Sequence, residues 1–227
     1  MLVNLFSVEN LIQTCISIPV ILFSLSFHEA SHAFAANKLG DPTAKNLGRL
    51  TLNPLKHLDP IGTLCMILFH FGYAKPVPIN ARYFKNPKKG MALSALAGPV
   101  SNILLGALGL LLYNVFMALV LRTGVWYDKQ NLCSLIALVF YYLYVMNIYL
   151  AIFNMLPIPP FDGSRLAFVF LPDKLYWGVM KYERIIMLVT LVLLATGLLS
   201  IPLDFLSGKV MWLLELPYKF IPFFQYI

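Results

Sequence analysis

The sequence has 227 residues, of which 59% are hydrophobic and only 12% charged, and its formal net charge is +7. Soluble domains average about 45–50% apolar and about 25% charged residues, so the composition excludes a soluble globular protein, a disordered chain and a fibrous repeat. The basic residues lie between apolar runs, which indicates a role in membrane topology and argues against a nucleic-acid partner. The runs lack the alternation of barrel strands, so we predict an all-α polytopic membrane protein with about four spanning helices.

The first predicted spanning helix covers residues 11–36 and contains the motif His28-Glu29-Ala30-Ser31-His32. Positions four apart share a helix face, so His28 and His32 can direct ring nitrogens at one zinc ion. Glu29 lies about 100° further round the helix and can act on a water at the metal without binding the metal. Such a motif also arises by chance, but ionisable groups inside an apolar span are costly, which favours a functional site.

Residues 41–90 are predicted to form a re-entrant loop on the cytoplasmic face. Its apolar stretch, residues 60–73, is well short of the roughly 20 residues that a spanning helix needs. Residues 75–80 contain two prolines and are predicted to be extended.

The distribution of charge also favours a stretch at 60–73 that dips into the bilayer and returns. In that arrangement, nine of the seventeen basic residues share one face, and these are Lys38, Lys45, Arg49, Lys56, Lys75, Arg82, Lys85, Lys88 and Lys89. The positive-inside rule makes that face cytoplasmic and places the amino terminus outside.

The second and third predicted spans cover residues 91–121 and 132–156, and Asp162 follows the prolines that end the third. Asp162 could cap the next helix or complete the metal site. Other candidate third ligands are Asp59, His57 and His70. The pairing with the histidine motif favours Asp162.

Counting membrane crossings supports the same topology. Two crossings after the first span return the chain to the face near His32, where Asp162 can reach the same metal. A further crossing at residues 60–73 would put Asp162 on the opposite face.

A fourth span is predicted at residues 185–203. The apolar tail, residues 204–227, is predicted to be interrupted at Pro217 and Pro222, so we expect an interfacial C-terminal segment there and no further span. Residues 1–227 would then form a single transmembrane domain.

Three motifs together resemble the site-2 protease family of intramembrane zinc metalloproteases: HEASH, GPVSN at residues 98–102 and NMLPIPPFDG at residues 154–163. They occur in the family's order, and the resemblance covers about residues 11–203. It implies a multi-pass protein of the cell membrane that cleaves peptide bonds within or beside transmembrane helices of substrate proteins. It also implies that His28, His32 and Asp162 bind one zinc ion and that Glu29 is the general base.

The resemblance further implies that Asn102 and Asn154 hold the substrate backbone or the developing oxyanion. Each has a simpler explanation, because Asn102 could bond a neighbouring helix and Asn154 could cap the broken backbone. Many relatives add a PDZ or CBS domain, for which there is no room here, so we expect the short subgroup.

Two other functions remain open at this point. The same histidine and aspartate set could serve a membrane metal transporter or sensor, although only one broken helix is visible and transporters often repeat such helices. An inactive scaffold would be expected to lack Glu29 or a ligand, and none is missing.

Overall fold

The computed structural model describes residues 8–59 and 75–224, and no β-strand occurs within these ranges. The helices in chain order are α1 (Val8–Lys38), α2 (Thr43–Asn46), α3 (Pro87–Thr123), α4 (Val125–Asp128), α5 (Gln130–Asn154), α6 (Asp162–Ala167), α7 (Asp173–Met180), α8 (Glu183–Ala195) and α9 (Ser200–Phe220). Short 3-10 turns lie at Pro54–Lys56, Ala81–Tyr83, Phe168–Phe170 and Pro222–Phe224. The all-α fold class is confirmed.

Among the described residues, three helices are long and apolar enough to cross a membrane, namely α1, α3 and α5. They correspond to the first three predicted spans. The ends of α3 follow local rules: the Asn86 side chain accepts the Lys89 N–H at 3.1 Å and Pro87 occupies the first turn. At the other end, Gly124 takes a left-handed conformation with φ of 72° and stops the helix.

The predicted fourth span, residues 185–203, is not one helix. Helix α8 ends at Ala195, and Gly197 follows with φ of 75°. The N–H groups of Gly197 and Leu198 donate to the carbonyls of Leu194 and Leu193, which is the hydrogen-bond pattern of a Schellman motif. The apolar run therefore contains a helix stop at its glycine, and the chain starts a new helix at Ser200.

The C-terminal tail was predicted to be interrupted at Pro217, and this is wrong, because α9 runs through Pro217 to Phe220. Val210, Met211 and Leu214 of α9 pack against a cluster formed by Leu110 of α3 and by Tyr144 and Ile148 of α5. The packing of this face against α5 holds the helix together across the proline. Its position relative to the bilayer stays a prediction, and the predicted re-entrant stretch at 60–73 lies outside the described residues.

Helix α3 is the central helix and contacts α1, α5 and α6. Glycines along α3 allow this close approach. A Cβ atom on Gly109 would lie 2.7 Å from the Tyr144 nitrogen, and one on Gly106 would lie 2.9 Å from Ile148 Cδ1. Lipid tails are as apolar as the side chains, so close packing of small residues is a main source of helix association in a bilayer.

The glycine contacts predict a difference between two matched substitutions. Gly109→Ala should lower the midpoint of thermal unfolding in detergent, because the added methyl meets main-chain atoms of α5 that cannot rotate away. Such overpacking costs about 1–3 kcal/mol. Gly208→Ala in α9 faces open space and should leave the midpoint unchanged or slightly raised. Equal midpoints for the two variants would contradict the packing described here.

Candidate active site

Helix α1 brings two imidazole rings together in the interior of the bundle. His28 and His32 are 3% and 5% exposed, and their Nε2 atoms lie 2.9 Å apart. One helical turn separates the two residues, so the spacing of the motif alone produces this proximity. The rings meet edge to face, with centroids 4.5 Å apart.

Asp162 reaches the same point from a distant part of the sequence. Helix α5 ends at Asn154, an irregular proline-rich stretch follows, and Asp162 is the first residue of α6. Its Oδ2 atom lies 3.0 Å from His28 Nε2 and 3.1 Å from His32 Nε2. Gly163 makes the tight turn possible, because a Cβ atom there would overlap the main-chain carbonyl of Met155.

These three atoms have the arrangement that zinc requires. Tetrahedral zinc with bonds of roughly 2.0–2.1 Å places its ligand atoms about 3.3 Å apart, and here they are 2.9–3.1 Å apart. Two imidazoles and one carboxylate are also a known donor set for catalytic zinc, with a fourth position left open. The residues present therefore fit a zinc ion.

The charge state of Asp162 suits the same role. Burial raises the pKa of its carboxyl, but hydrogen bonds and electrostatic attraction from His28 and His32, when these rings carry a hydrogen on Nε2, outweigh burial and hold that pKa below its ordinary range. The carboxylate is therefore ionised, which is the form that can bind a metal ion.

The other ring nitrogen of each histidine is held by an acceptor on α3. His32 Nδ1 lies 2.7 Å from the Ser94 carbonyl oxygen, which can only accept, so this nitrogen carries the hydrogen. His28 Nδ1 bonds Asn102 Oδ1. In the neutral form of each ring, both arrangements leave Nε2 with its lone pair directed at the site, as metal binding requires. Gly98 permits this contact, because a Cβ atom there would lie within 2.6 Å of both rings.

Glu29 lies beside the histidines but makes a different contact. A carboxylate oxygen lies within 4.8 Å of the ligand nitrogens of His28 and His32. The Glu29 Oε2 atom accepts the main-chain N–H of Val77 at 3.0 Å. The segment at residues 75–80 therefore touches the residue predicted to be the base.

Buried polar side chains fix this segment at both ends. Arg49, 8% exposed, donates to the Lys75 carbonyl, and the Lys75 N–H donates to the His57 carbonyl at 2.8 Å. At the other end, the fully buried Asp41 accepts the Asn80 N–H at 2.7 Å. The segment has no helix or strand within residues 75–80, which agrees with the extended backbone predicted for it.

The remaining candidates lie in different surroundings. Asn102 is fully buried between helices, whereas Asn154 is half-buried at the end of α5 and donates to the Leu150 carbonyl. His57 Nε2 bonds the Thr51 carbonyl oxygen, and His70 lies outside the described residues. Sequence reasoning missed Asn147, which is fully buried in α5 and bonded to Asn102. The same rule that singled out Asn102, a polar residue within an apolar span, would have found it.

Comparison with known proteins agrees with this geometry. The model of Peptidase family M50 matches residues 123–198, a region that includes Asp162. The chain is 38% identical over 185 residues to the zinc metalloprotease YwhC of Bacillus subtilis, covering 78% of this chain and 79% of that protein. It is 28% identical over 208 residues to the zinc metalloprotease Rip2 of Mycolicibacterium smegmatis, covering 89% and 71%. No solved structure matches.

These relatives do not favour a transporter, a sensor or a scaffold. The matched region, the relatives and the apolar helices agree on one class of enzyme, in which zinc is the cofactor and the membrane is the environment. The chain belongs to peptidase family M50, the site-2 protease family, and is an intramembrane zinc metalloprotease.

Proposed function

We propose that His28, His32 and Asp162 hold the zinc ion of this protease and that Glu29 is its general base. The observation that carries the assignment is the triangle of three ligand atoms with sides of 2.9–3.1 Å. When bound, zinc would lower the pKa of a water ligand to about 7 and polarise the carbonyl of the scissile peptide bond.

Glu29 moves the proton in this mechanism. Its Oε2 atom is held by the Val77 N–H, so Oε1 takes the proton from the attacking water and passes it to the leaving amine. His28 and His32 would hold the metal through Nε2, because an oxygen on α3 faces Nδ1 of each ring and accepts its hydrogen.

The two asparagines have different roles in this proposal. Asn154 lies before the turn that delivers Asp162, and its amide has a second hydrogen besides the one given to Leu150, which it donates to the substrate or the oxyanion. Asn102 has no such reserve, because its oxygen bonds His28 and its amide nitrogen donates both to Asn147 Oδ1 and to the Ser24 carbonyl. Its role is to hold the His28 ring.

The substrates are transmembrane proteins, cut within or near a membrane helix. A helix satisfies its own backbone hydrogen bonds, so a substrate must unwind locally before its carbonyl can be attacked. The segment at residues 75–80 is held at both ends and contacts Glu29, so an unwound chain that pairs along it would lie beside the base.

The active site faces the cytoplasm and the amino terminus lies outside. The positive-inside distribution supports this orientation. The hydrogen bond between the Lys75 N–H and the His57 carbonyl supports the re-entrant loop on which this orientation depends, because the chain before residue 60 and the chain after residue 74 meet at one point. Both flanks then lie on the same side of the protein.

Replacing the base should separate catalysis from metal binding. Glu29→Gln is expected to lower the rate of cleavage of a membrane substrate by at least about 100-fold, because the amide cannot take the proton. Its zinc content, measured on purified protein, should equal that of the wild type. His32→Ala is the control and should lose both activity and metal. A zinc-free Glu29→Gln protein would show that Glu29 is a ligand instead.

Replacing the third ligand should weaken metal binding. Asp162→Ala is expected to lose activity and to release zinc at lower chelator concentrations, since two imidazoles then hold the ion alone. His57→Ala and His70→Ala should retain metal. If His57→Ala rather than Asp162→Ala strips the zinc, the proposed ligand set is wrong.

Cysteine labelling tests the orientation. On a cysteine-free background, single cysteines at Lys56 and Lys88 should both react with an impermeant thiol reagent from the cytoplasmic side. A cysteine at Lys129 should react only from the opposite side. Labelling of Lys56 and Lys88 from opposite faces would require a crossing between them and would overturn the proposed topology.

A further inference from the structure

A chain of buried polar side chains joins the three long helices beside the metal site. Ser24 on α1, Asn102 on α3 and Asn147 on α5 are all fully buried. Asn147 Nδ2 donates to Ser24 Oγ at 2.8 Å, and Asn102 Nδ2 donates to Asn147 Oδ1 at 2.7 Å. The chain ends at His28 Nδ1, which bonds Asn102 Oδ1.

The direction of every bond in this chain is fixed from outside it. Ser24 Oγ donates to the Val20 carbonyl at 2.8 Å, so towards Asn147 it must accept. Asn147 Nδ2 also donates to the Leu143 carbonyl at 2.7 Å, and a main-chain carbonyl can only accept. These two anchors determine which end of the Asn147 amide is nitrogen, so its oxygen must face Asn102.

The orientation of Asn147 in turn constrains that of Asn102, together with a longer contact in which Asn102 Nδ2 donates to the Ser24 carbonyl at 3.4 Å. With an oxygen opposite, Asn102 must present its nitrogen to Asn147 and its oxygen to His28. An amide turned by 180° would present a nitrogen to His28 Nδ1, which would stabilise the tautomer with hydrogen on Nε2. That tautomer cannot bind a metal through Nε2.

We propose that Asn147 is a positioning residue that sets the tautomer and ring orientation of His28 through Asn102. The inference rests on the proposed function in one respect, that His28 is a zinc ligand. Asn147 does not touch the site, and it acts by fixing the polarity of a hydrogen-bond chain that begins at helix carbonyls. Mutating a residue that orients a metal ligand through hydrogen bonds commonly lowers metal affinity by about 10–100-fold.

The test compares three variants of the full-length protein in detergent. Asn147→Leu removes the acceptor for Asn102 at similar volume. Asn147→Asp retains an oxygen for Asn102 and, when protonated, a donor for the Leu143 carbonyl. Asn114→Leu is the matched control, because Asn114 lies half-buried on α3 and donates to the Leu110 carbonyl in the same way. Helix content and unfolding temperature are recorded for all three.

Two measurements report on His28. Nitrogen NMR of metal-free, histidine-labelled protein distinguishes hydrogen on Nδ1 from hydrogen on Nε2, and chelator competition gives the zinc affinity. We expect Asn147→Leu to shift His28 towards the Nε2–H form and to weaken zinc binding about 10–100-fold. Asn147→Asp and Asn114→Leu should keep the Nδ1–H form, with zinc affinity within a few-fold of the wild type.

Unchanged tautomer and zinc affinity in a folded Asn147→Leu protein would overturn the proposal. Equal losses in Asn147→Leu and Asn114→Leu would also overturn it, since they would indicate a general effect of removing a buried asparagine. If Asn147→Leu does not fold, Ser24→Ala takes its place, because it removes one anchor of Asn147. It should produce the same shifts at smaller size. An unchanged His28 tautomer in Ser24→Ala would then overturn the proposal.

The tautomer measurement needs no bound metal, so it separates the two proposals. Retention of zinc by His28→Ala would refute the ligand assignment, while a tautomer shift in metal-free Asn147→Leu would still support the network.

Discussion

Lipid offers no hydrogen-bond partners, so a polar group placed within the bundle of long helices is costly unless it finds a partner in the protein. In this protein, that requirement acts on the two histidines of α1. Each imidazole has one nitrogen directed at the metal site, and the other must be satisfied by a neighbouring helix. Both partners lie on α3, one a main-chain carbonyl and the other the side chain of Asn102. The position of α3 against α1 is therefore tied to the chemistry of the site.

Close packing of that helix depends on glycine. Gly98 lies against both imidazole rings, and Gly109 lies against the backbone of α5. The same helix thus uses small residues for two purposes: to let the rings turn towards Asp162, and to bring Asn102 within reach of Asn147. A larger residue at Gly98 would displace the two imidazole rings, whereas one at Gly109 would displace α5, the helix that carries Asn147.

The sequence predicted the local parts of this structure well. Helical periodicity alone predicts that His28 and His32 lie on one face of a helix. The prolines before Asp162 predict an irregular turn there. The sequence did not predict two features that depend on tertiary contacts. Helix α9 continues through Pro217 because one face packs on α5, and Asn147 matters because of groups on two other helices. The helix end at Gly197 could have been predicted from the glycine itself, but the continuous apolar sequence around it favoured a single spanning helix.

The residues of the proposed metal site lie far apart in the sequence, and this separation determines when the site is completed during synthesis. His28 and Asp162 are 134 positions apart, and α3 and α5 lie between them. A nascent chain carries both histidines and Glu29 long before the ribosome has made Asp162. The proposed third ligand is made only after the helices that hold the two histidines in place. With the proposed ligand set, the metal site is completed late in synthesis, and a chain truncated before Asp162 lacks one ligand.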